Sequence, residues 1–204
     1  MKRETRILIF SAGLATMLLP AAAQTASQAP NTPPPTINQR KENQQDRIAN
    51  GVADGQLTAG ETANLEKKES NLNKEENLMR SEDKGKLTGA DRKAINQQQN
   101  QLSNQIYKDK HNAAAQNINP KSEVGQRAEN QQDRIAQGIK SGQLTAGETA
   151  NLEKKEAGIS KEVRNDRAAN GGKLTSQEKT QVNRQQNHVS KQIYNDKHNA
   201  HKQR

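Results

Sequence analysis

Residues 55–61 are Gly-Gln-Leu-Thr-Ala-Gly-Glu, and this segment decides how the chain folds. A glycine just beyond the end of a helix can adopt the left-handed backbone conformation that closes the helix. A threonine three residues before an acid forms a capping box, in which the hydroxyl and the carboxylate satisfy free N–H groups at the start of a helix. The segment therefore predicts a tight connection between two helices.

The same Gly-x-Leu-Thr-x-x-acid pattern occurs four times along the chain. The four sets of turn residues are Gly55, Leu57, Thr58 and Glu61; Gly85, Leu87, Thr88 and Asp91; Gly142, Leu144, Thr145 and Glu148; and Gly172, Leu174, Thr175 and Glu178. We interpret all four as structural turns, each of which joins two helices.

A tandem repeat contains these turns. Residues 37–113 align without gaps onto residues 124–200 at an offset of 87, and 46 of the 77 aligned positions are identical. Residues 114–123 form a short linker between the two copies, and residues 201–204 form a basic tail. The sequence therefore predicts an all-α fold with two tandem copies of a three-helix unit.

The three helices of the first copy are predicted at about 38–54, 59–83 and 89–112. Apolar residues recur in both copies at helical spacing, in one narrow stripe per helix. They are Ile48, Val52, Leu65, Leu72, Met79, Ile95, Leu102 and Ile106, then Ile135, Ile139, Leu152, Ile159, Val182, Val189 and Ile193. Such a thin core predicts units that gain stability by docking on each other, or helices that order on self-association or on a partner.

The N-terminus has the features of a cleavable signal peptide at residues 1–23. Lys2 and Arg3 precede an apolar run of about 13 residues, and small residues follow Pro20. An uncleaved anchor is the alternative, but the run is short for a membrane span. We expect a periplasmic or secreted protein with no membrane span after cleavage, in which residues 24–36 form a Pro-rich disordered linker.

The composition restricts the chemistry that the chain can perform. No cysteine is present, which excludes disulfides and thiolate metal sites. The formal net charge is +9 and mean hydropathy is −1.20, which permits an anionic partner in the cell envelope. Cationic and acidic residues alternate, as in residues 66–69, and this pattern predicts solvated helix faces. Since aromatic residues are scarce, we expect no nucleic-acid partner.

The turns resemble the calcium loops of the EF-hand family, which place glycine, an apolar residue and an acid at the spacing of Gly55, Leu57 and Glu61. In the first loop the resemblance implies a weak calcium site, formed by Asn50, Asp54, Thr58 and Glu61. Val52 occupies another ligand position and offers no oxygen. In two later loops, arginine occupies the first ligand position, so those loops are predicted to act as turns alone.

Two further resemblances concern export. The Leu-Thr-x-x-acid element is similar to the Leu-Thr-x-x-Gln motif of the Spy and CpxP family of periplasmic helical proteins, over about five residues in each copy. The whole unit, with its Ile-Tyr-x-x-Lys-His-Asn ending, resembles repeats in small exported bacterial proteins of uncharacterised function. Both resemblances imply a helical, exported protein.

Tyrosine and histidine recur four residues apart near the end of each copy, as Tyr107 with His111 and Tyr194 with His198. Each pair shares one helix face. We predict that the tyrosine closes the core and that the histidine beside it is solvated. His198 and His201 lie three residues apart and form a second, very weak metal candidate.

No catalytic constellation occurs in the sequence, so we predict a protein that is not an enzyme and needs no cofactor. The leading hypothesis is an exported helical repeat protein that acts by binding or self-association in the cell envelope. It is motivated by identical polar residues at Asn43, Gln44 and Gln45, where core packing makes no demand. The alternatives are a stress protectant resembling hydrophilins and late-embryogenesis-abundant proteins, and a degenerate EF-hand-like calcium module.

Overall fold

Every regular element in the described residues is an α-helix, and the fold is all-helical as predicted. The computed structural model describes residues 33–116 and 121–203. The helices are α1 (Ile37–Ala53), α2 (Ala59–Glu82), α3 (Gly89–Lys110), α4 (Glu123–Lys140), α5 (Ala146–Ala169) and α6 (Ser176–His198). In the first copy, the helix limits lie within about two residues of the predicted limits, because capping signals define them locally.

Several predictions fall outside this part of the chain. The predicted signal peptide, residues 1–23, lies outside the described residues, as do most of the predicted Pro-rich linker and residues 117–120. The described chain begins just before Thr36, whose side chain forms a capping box with Gln39 at the start of α1. None of the helices in the described part is long and apolar enough to cross a membrane.

Each of the four Gly-x-Leu-Thr-x-x-acid turns has the geometry of a capping box. At the start of α2, Thr58 N donates to Glu61 Oε2 at 2.9 Å, and Glu61 N donates to Thr58 Oγ1 at 3.3 Å. The same reciprocal bonds open α3, α5 and α6. The turn glycines close the preceding helices with positive φ values, for example 65° at Gly55 and 89° at Gly172.

The cap at the start of α5 gives a direct prediction, since Thr145→Ala removes the hydroxyl that accepts from Glu148 N at 3.3 Å. We expect the free energy of unfolding to fall by about 1 kcal/mol in a denaturant titration. The control is Thr180→Ala on an exposed face of α6, which is expected to leave that free energy nearly unchanged. Equal losses in the two variants would contradict the capping argument.

The same variant tests the electrostatics of the cap. Burial opposes ionisation of Glu148, but hydrogen bonds from Thr145 and Asn199 outweigh it and hold the pKa of this carboxyl below its ordinary value. This contribution to stability is present above the ordinary carboxyl pKa and is lost as the pH falls through the lower folded value. In Thr145→Ala the pKa of Glu148 is therefore expected to rise, which an NMR titration measures.

Equivalent helices of the two repeats pack against each other. The most extensive helix contacts in the described part join α2 to α5 and α1 to α4. Each of these pairs consists of the same helix from the two copies, as in the isologous interface of a symmetric dimer. From Pro35 onward the chain forms one compact unit. The interface between the copies is therefore internal to this unit.

The predicted apolar stripe forms most of the core. All of its residues are buried except Met79, which is partly buried. The predicted stripe does not include Leu57 and Leu144, the leucines of the α1–α2 and α4–α5 turns, which are fully buried in the main cluster. The leucines of the α2–α3 and α5–α6 turns contribute less to this cluster. Leu87 lies in a small separate cluster, and Leu174 is only partly buried. The four similar turns therefore contribute unequally to the core.

Buried glutamines tie α1 to α3 and α4 to α6. Gln44 Nε2 donates to the carbonyl of Gln99 at 2.6 Å, and Gln131 makes the equivalent bond to Gln186 at 2.8 Å. The prediction that core packing makes no demand on Gln44 and Gln45 is wrong, because both side chains are buried. Their identity in the two copies therefore has a structural cause, and it gives no support to a binding surface.

Candidate functional site

In the candidate calcium loop, the oxygens of Thr58 and Glu61 make bonds within the protein. Glu61 Oε2 accepts from Thr58 N and Oγ1, and Glu61 Oε1 accepts from Asn112 Nδ2 at 2.7 Å. The Asn50 carbonyl accepts from Asp54 N at 2.9 Å, so it ends α1. Within the described residues, no group of three or more His, Asp or Glu side chains has the arrangement of a metal site.

The two C-terminal histidines have different partners. His198 Nδ1 lies 2.7 Å from the carbonyl oxygen of Tyr194. His201 Nδ1 instead lies 3.5 Å from Glu148 Oε1, beside the α4–α5 turn. Gln203 N donates to the carbonyl of Gly142 at 3.0 Å, so the predicted basic tail is attached to that turn. The structure therefore uses the two histidines in separate contacts.

Two exposed aromatic pairs lie near the C-terminal ends of α3 and α6. The rings of Tyr107 and His111 stack with their centroids 4.2 Å apart, and Tyr194 and His198 repeat this arrangement. The tyrosines are 60% and 58% exposed, so the prediction that they close the core is wrong. The preceding isoleucine, Ile106 in the first copy, points inward instead, and one residue later the helix has turned by about 100°.

Backbone contacts hold each aromatic pair in position. His111 Nδ1 lies 2.7 Å from the carbonyl oxygen of Tyr107, at the same distance as the corresponding contact in the second copy. Lys108 and Lys110 lie in the last turn of α3, and Lys197 lies in the last turn of α6. The first surface thus combines an exposed, positioned aromatic ring with the exposed Lys108, a combination that suits an anionic ligand. In the second surface, Lys197 Nζ donates to the carbonyl of Arg134 at 3.3 Å. We call these two areas the Tyr–His surfaces.

Four buried glutamates form a second notable feature, where α2 meets α5. Glu66, Glu69 and Glu153 are fully buried, and Glu156 is 2% exposed. The prediction that residues 66–69 lie on a solvated face is wrong for both glutamates. Glu66 and Glu69 follow the buried Leu65 by one and four residues, so they lie near the same side of α2, where the equivalent helix α5 covers them. We call this group the carboxyl cluster.

Burial dominates the acid–base properties of this cluster. It raises the pKa of Glu66 to about 8, although the hydrogen bond from Gln45 opposes the rise, and nearby Glu69 and Glu153 add to it. Burial likewise raises the pKa of Glu153 to about 8, against a hydrogen bond from Gln132. The carboxyls of Glu69 and Glu156 are raised to about 7 for the same principal reason.

Two of the surface clefts in the described part lie beside α5. A groove of about 570 Å³ lies between α5 and α6, with Ile159 and Val189 among its apolar lining and Arg184 and His188 among its polar lining. A smaller cleft of about 320 Å³ at the start of α5 is lined partly by lysines. These lysines are Lys41, Lys74 and Lys202. Both volumes are within or near the range of small-molecule sites, but no convergent set of catalytic groups lines either cleft.

Comparisons of the chain with protein-family models, with curated proteins and with solved structures find no match. The similarities to EF-hand loops and to the Spy and CpxP motif therefore remain predictions from short motifs. The Tyr–His surfaces and the carboxyl cluster are the features of this chain's own geometry that bear on its function.

Proposed function

We propose that this chain is an exported, non-enzymatic binding protein that presents its two Tyr–His surfaces to an acidic polysaccharide of the cell envelope. In this proposal the chain consists of two tandem three-helix units, it acts in the periplasm or outside the cell, and each unit supplies one surface. The observation that carries the proposal is the pair of exposed, stacked tyrosines at equivalent positions.

The exposure of these rings supports a binding role. Single apolar residues at a surface are ordinary, and Leu78 is one example, at 64% exposed. Tyr107 and Tyr194 differ from Leu78 because both copies of the repeat have the same ring, the same stacked partner and the same backbone contact. The core does not require these rings, since the neighbouring isoleucines fill it.

The chemistry of the surfaces supports the choice of partner. A tyrosine ring packs well against apolar faces of a ligand while its hydroxyl group stays hydrated. The exposed Lys108 in the last turn of α3, together with the net positive charge of the chain, attracts carboxylate or phosphate groups. A polymer of acidic sugars offers both features at regular intervals.

Duplication adds avidity to this proposal. When two sites on one body engage the same polymer, the second contact is intramolecular, and the overall affinity can exceed that of one site by about 10² to 10⁴. Gln44 and Gln45 are not part of these sites, because the core explains their identity in the two copies. Loss of one surface should therefore weaken binding far more than twofold.

The test uses Tyr107→Ala, Tyr194→Ala and the double variant, with binding to immobilised polygalacturonate measured by biolayer interferometry. We expect each single variant to lose at least about tenfold in affinity, and the double variant to lose more. The control is Leu78→Ala, which removes an equally exposed side chain from a different place and should bind like the unaltered protein. Unchanged binding by the double variant would refute the proposal.

A competition experiment separates the polysaccharide from other polyanions. Duplex DNA and vesicles with anionic lipids are added as competitors in matched charge amounts. We expect weak competition that is insensitive to the tyrosine variants. If DNA competes as well as the polysaccharide does, charge alone governs binding and the Tyr–His surfaces have no special role.

The alternative functions are still predictions from the sequence. No contact in the described residues favours the stress protectant or the calcium module over the binding protein. A rise in melting temperature in calcium at about pH 5, where the buried carboxyls carry protons, would support the calcium module. We give preference to the binding protein because of the Tyr–His surfaces.

A further inference from the structure

The carboxyl cluster contains more hydrogen-bond acceptors than donors. Within the described residues, several buried oxygen atoms of the cluster have no donor. They are Glu66 Oε1, both carboxyl oxygens of Glu69, Glu153 Oε1, Glu156 Oε1, Gln45 Oε1 and Gln132 Oε1. A buried acceptor without a donor is destabilising, so a group of them requires an explanation. Protons on the carboxyls would supply the missing donors, because a protonated carboxyl carries an O–H group.

The position of the cluster gives its protonation a structural consequence. Glu66 and Glu153 occupy equivalent positions on α2 and α5, the two helices with the most extensive contact. Each side chain has one hydrogen bond, from Gln45 Nε2 at 3.1 Å and from Gln132 Nε2 at 3.0 Å respectively. Ionisation of both glutamates places like charges at a buried interface between the two halves of the protein.

Among the described residues, few cationic groups lie around the cluster. From α1, Lys41 acts on Glu69 and bonds Glu76 at 3.3 Å, while Arg80 on α2 bonds the other oxygen of Glu76 at 2.7 Å. From α4, the group that faces Glu153 is the neutral amide of Gln132. In the second copy, alanine and valine occupy the positions of Lys41 and Glu76, at Ala128 and Val163. The second half of the cluster therefore lacks the lysine of the first half.

We propose that Glu66, Glu69, Glu153 and Glu156 form a proton-dependent lock between α2 and α5. When the carboxyls carry protons, the two halves pack tightly. When they ionise, the contact between α2 and α5 is destabilised and the halves loosen. This lock is a property of the core, and it does not depend on the Tyr–His surfaces or on any polysaccharide.

The direction of the pH effect follows from the raised pKa values. The unfolded chain loses these protons near the ordinary glutamate pKa of 4.5, whereas the folded chain keeps them up to about 7 or 8. The folded state therefore binds more protons across this interval, and its stability decreases as the pH rises through it. Stability from the lock is complete below pH 4.5 and is lost above about 8.

The test measures the melting temperature of the purified protein by circular dichroism at about pH 5 and at about pH 8.5. For the unaltered protein we expect Tm to fall by about 10 °C or more between these values. In the double variant Glu66→Gln and Glu153→Gln, most of that fall should disappear, and Tm at the higher pH should exceed that of the unaltered protein. Gln45 Oε1 and Gln132 Oε1 are available to accept from the new amides.

The control variant changes two exposed glutamates at equivalent positions, Glu42→Gln and Glu129→Gln. It makes the same two carboxyl-to-amide replacements as the cluster variant but outside the cluster, so it should retain the full pH effect if the lock is correct. A Tm that does not change with pH in the unaltered protein would overturn the proposal. An equal fall in the cluster variant and in the unaltered protein would do the same.

Two further measurements keep the proposal testable if the cluster variant does not fold. NMR of ¹³C-labelled glutamate carboxyls in the unaltered protein should reveal carboxyls that titrate above about pH 6, and their absence would refute the lock. Calcium is added in a separate melt at about pH 8.5. If calcium restores the Tm of the acidic sample, the cluster is a cation site instead of a proton lock; we expect no restoration.

Discussion

Replacement of Leu57 or Leu144 by alanine is expected to lower the free energy of unfolding by about 2 to 5 kcal/mol. Both leucines are 0% exposed and belong to the main core cluster, although each lies in a turn between helices. Their removal leaves a cavity where α1 meets α2, or where α4 meets α5. Urea denaturation followed by circular dichroism measures the loss, with no change in the denaturant slope.

The turn between α5 and α6 supplies the matched control for this prediction. Leu174→Ala changes the same residue of the same sequence motif, but Leu174 is only partly buried. We expect a loss of less than about half that of Leu144→Ala, since less apolar area leaves water at this position. Equal losses at Leu144 and Leu174 would indicate that the motif stabilises its turn locally, without any contribution from burial.

The second large effect is expected at Gly138 and Gly51, where substitution by alanine should lower the free energy of unfolding by about 1 to 3 kcal/mol. A Cβ atom at Gly138 would lie 2.6 Å from Cδ1 and Cγ of Leu144, and at Gly51 it would lie 2.7 Å from Cδ1 of Leu57. These leucines are packed on all sides, so they cannot move aside without strain.

Helix propensity predicts the opposite sign for these two variants, because alanine stabilises a helix interior by about 1 kcal/mol relative to glycine. Gly158 is the control, since it lies inside α5 and a Cβ atom there meets nothing within 4 Å. We expect Gly158→Ala to raise the free energy of unfolding and Gly138→Ala to lower it, in parallel urea titrations. Stabilisation by Gly138→Ala would show that the contact with Leu144 relaxes at little cost.

Local signals explain why much of the fold could be predicted from sequence. The turn at Gly55 and Thr58 depends on residues within a few positions of each other, and the same is true of the other three turns. Helix limits and the apolar stripe also follow from short-range periodicity. Leu57 was correctly assigned to a turn, but its burial could not be derived, because it depends on contacts beyond the turn itself.

The errors have a common physical origin in long-range packing. Glu66 and Glu69 have the composition of a solvated face, and they are buried only because α5 covers α2. Sequence patterns do not indicate that equivalent helices face each other. The sequence does contain one signal of this burial, because the pair Gln45 and Glu66 recurs in the second copy as Gln132 and Glu153. Tyr107 was misplaced for a simpler reason, because the adjacent Ile106 had already filled the inward position.

The internal interface between equivalent helices also affects how the protein responds to dilution. Two separate subunits held by contacts like those of α2 with α5 would dissociate at low protein concentration, and their stability would depend on that concentration. Here the two copies belong to one chain, so each has its partner at a fixed effective concentration set by the short connecting segment. Folding of this protein should therefore be independent of its concentration.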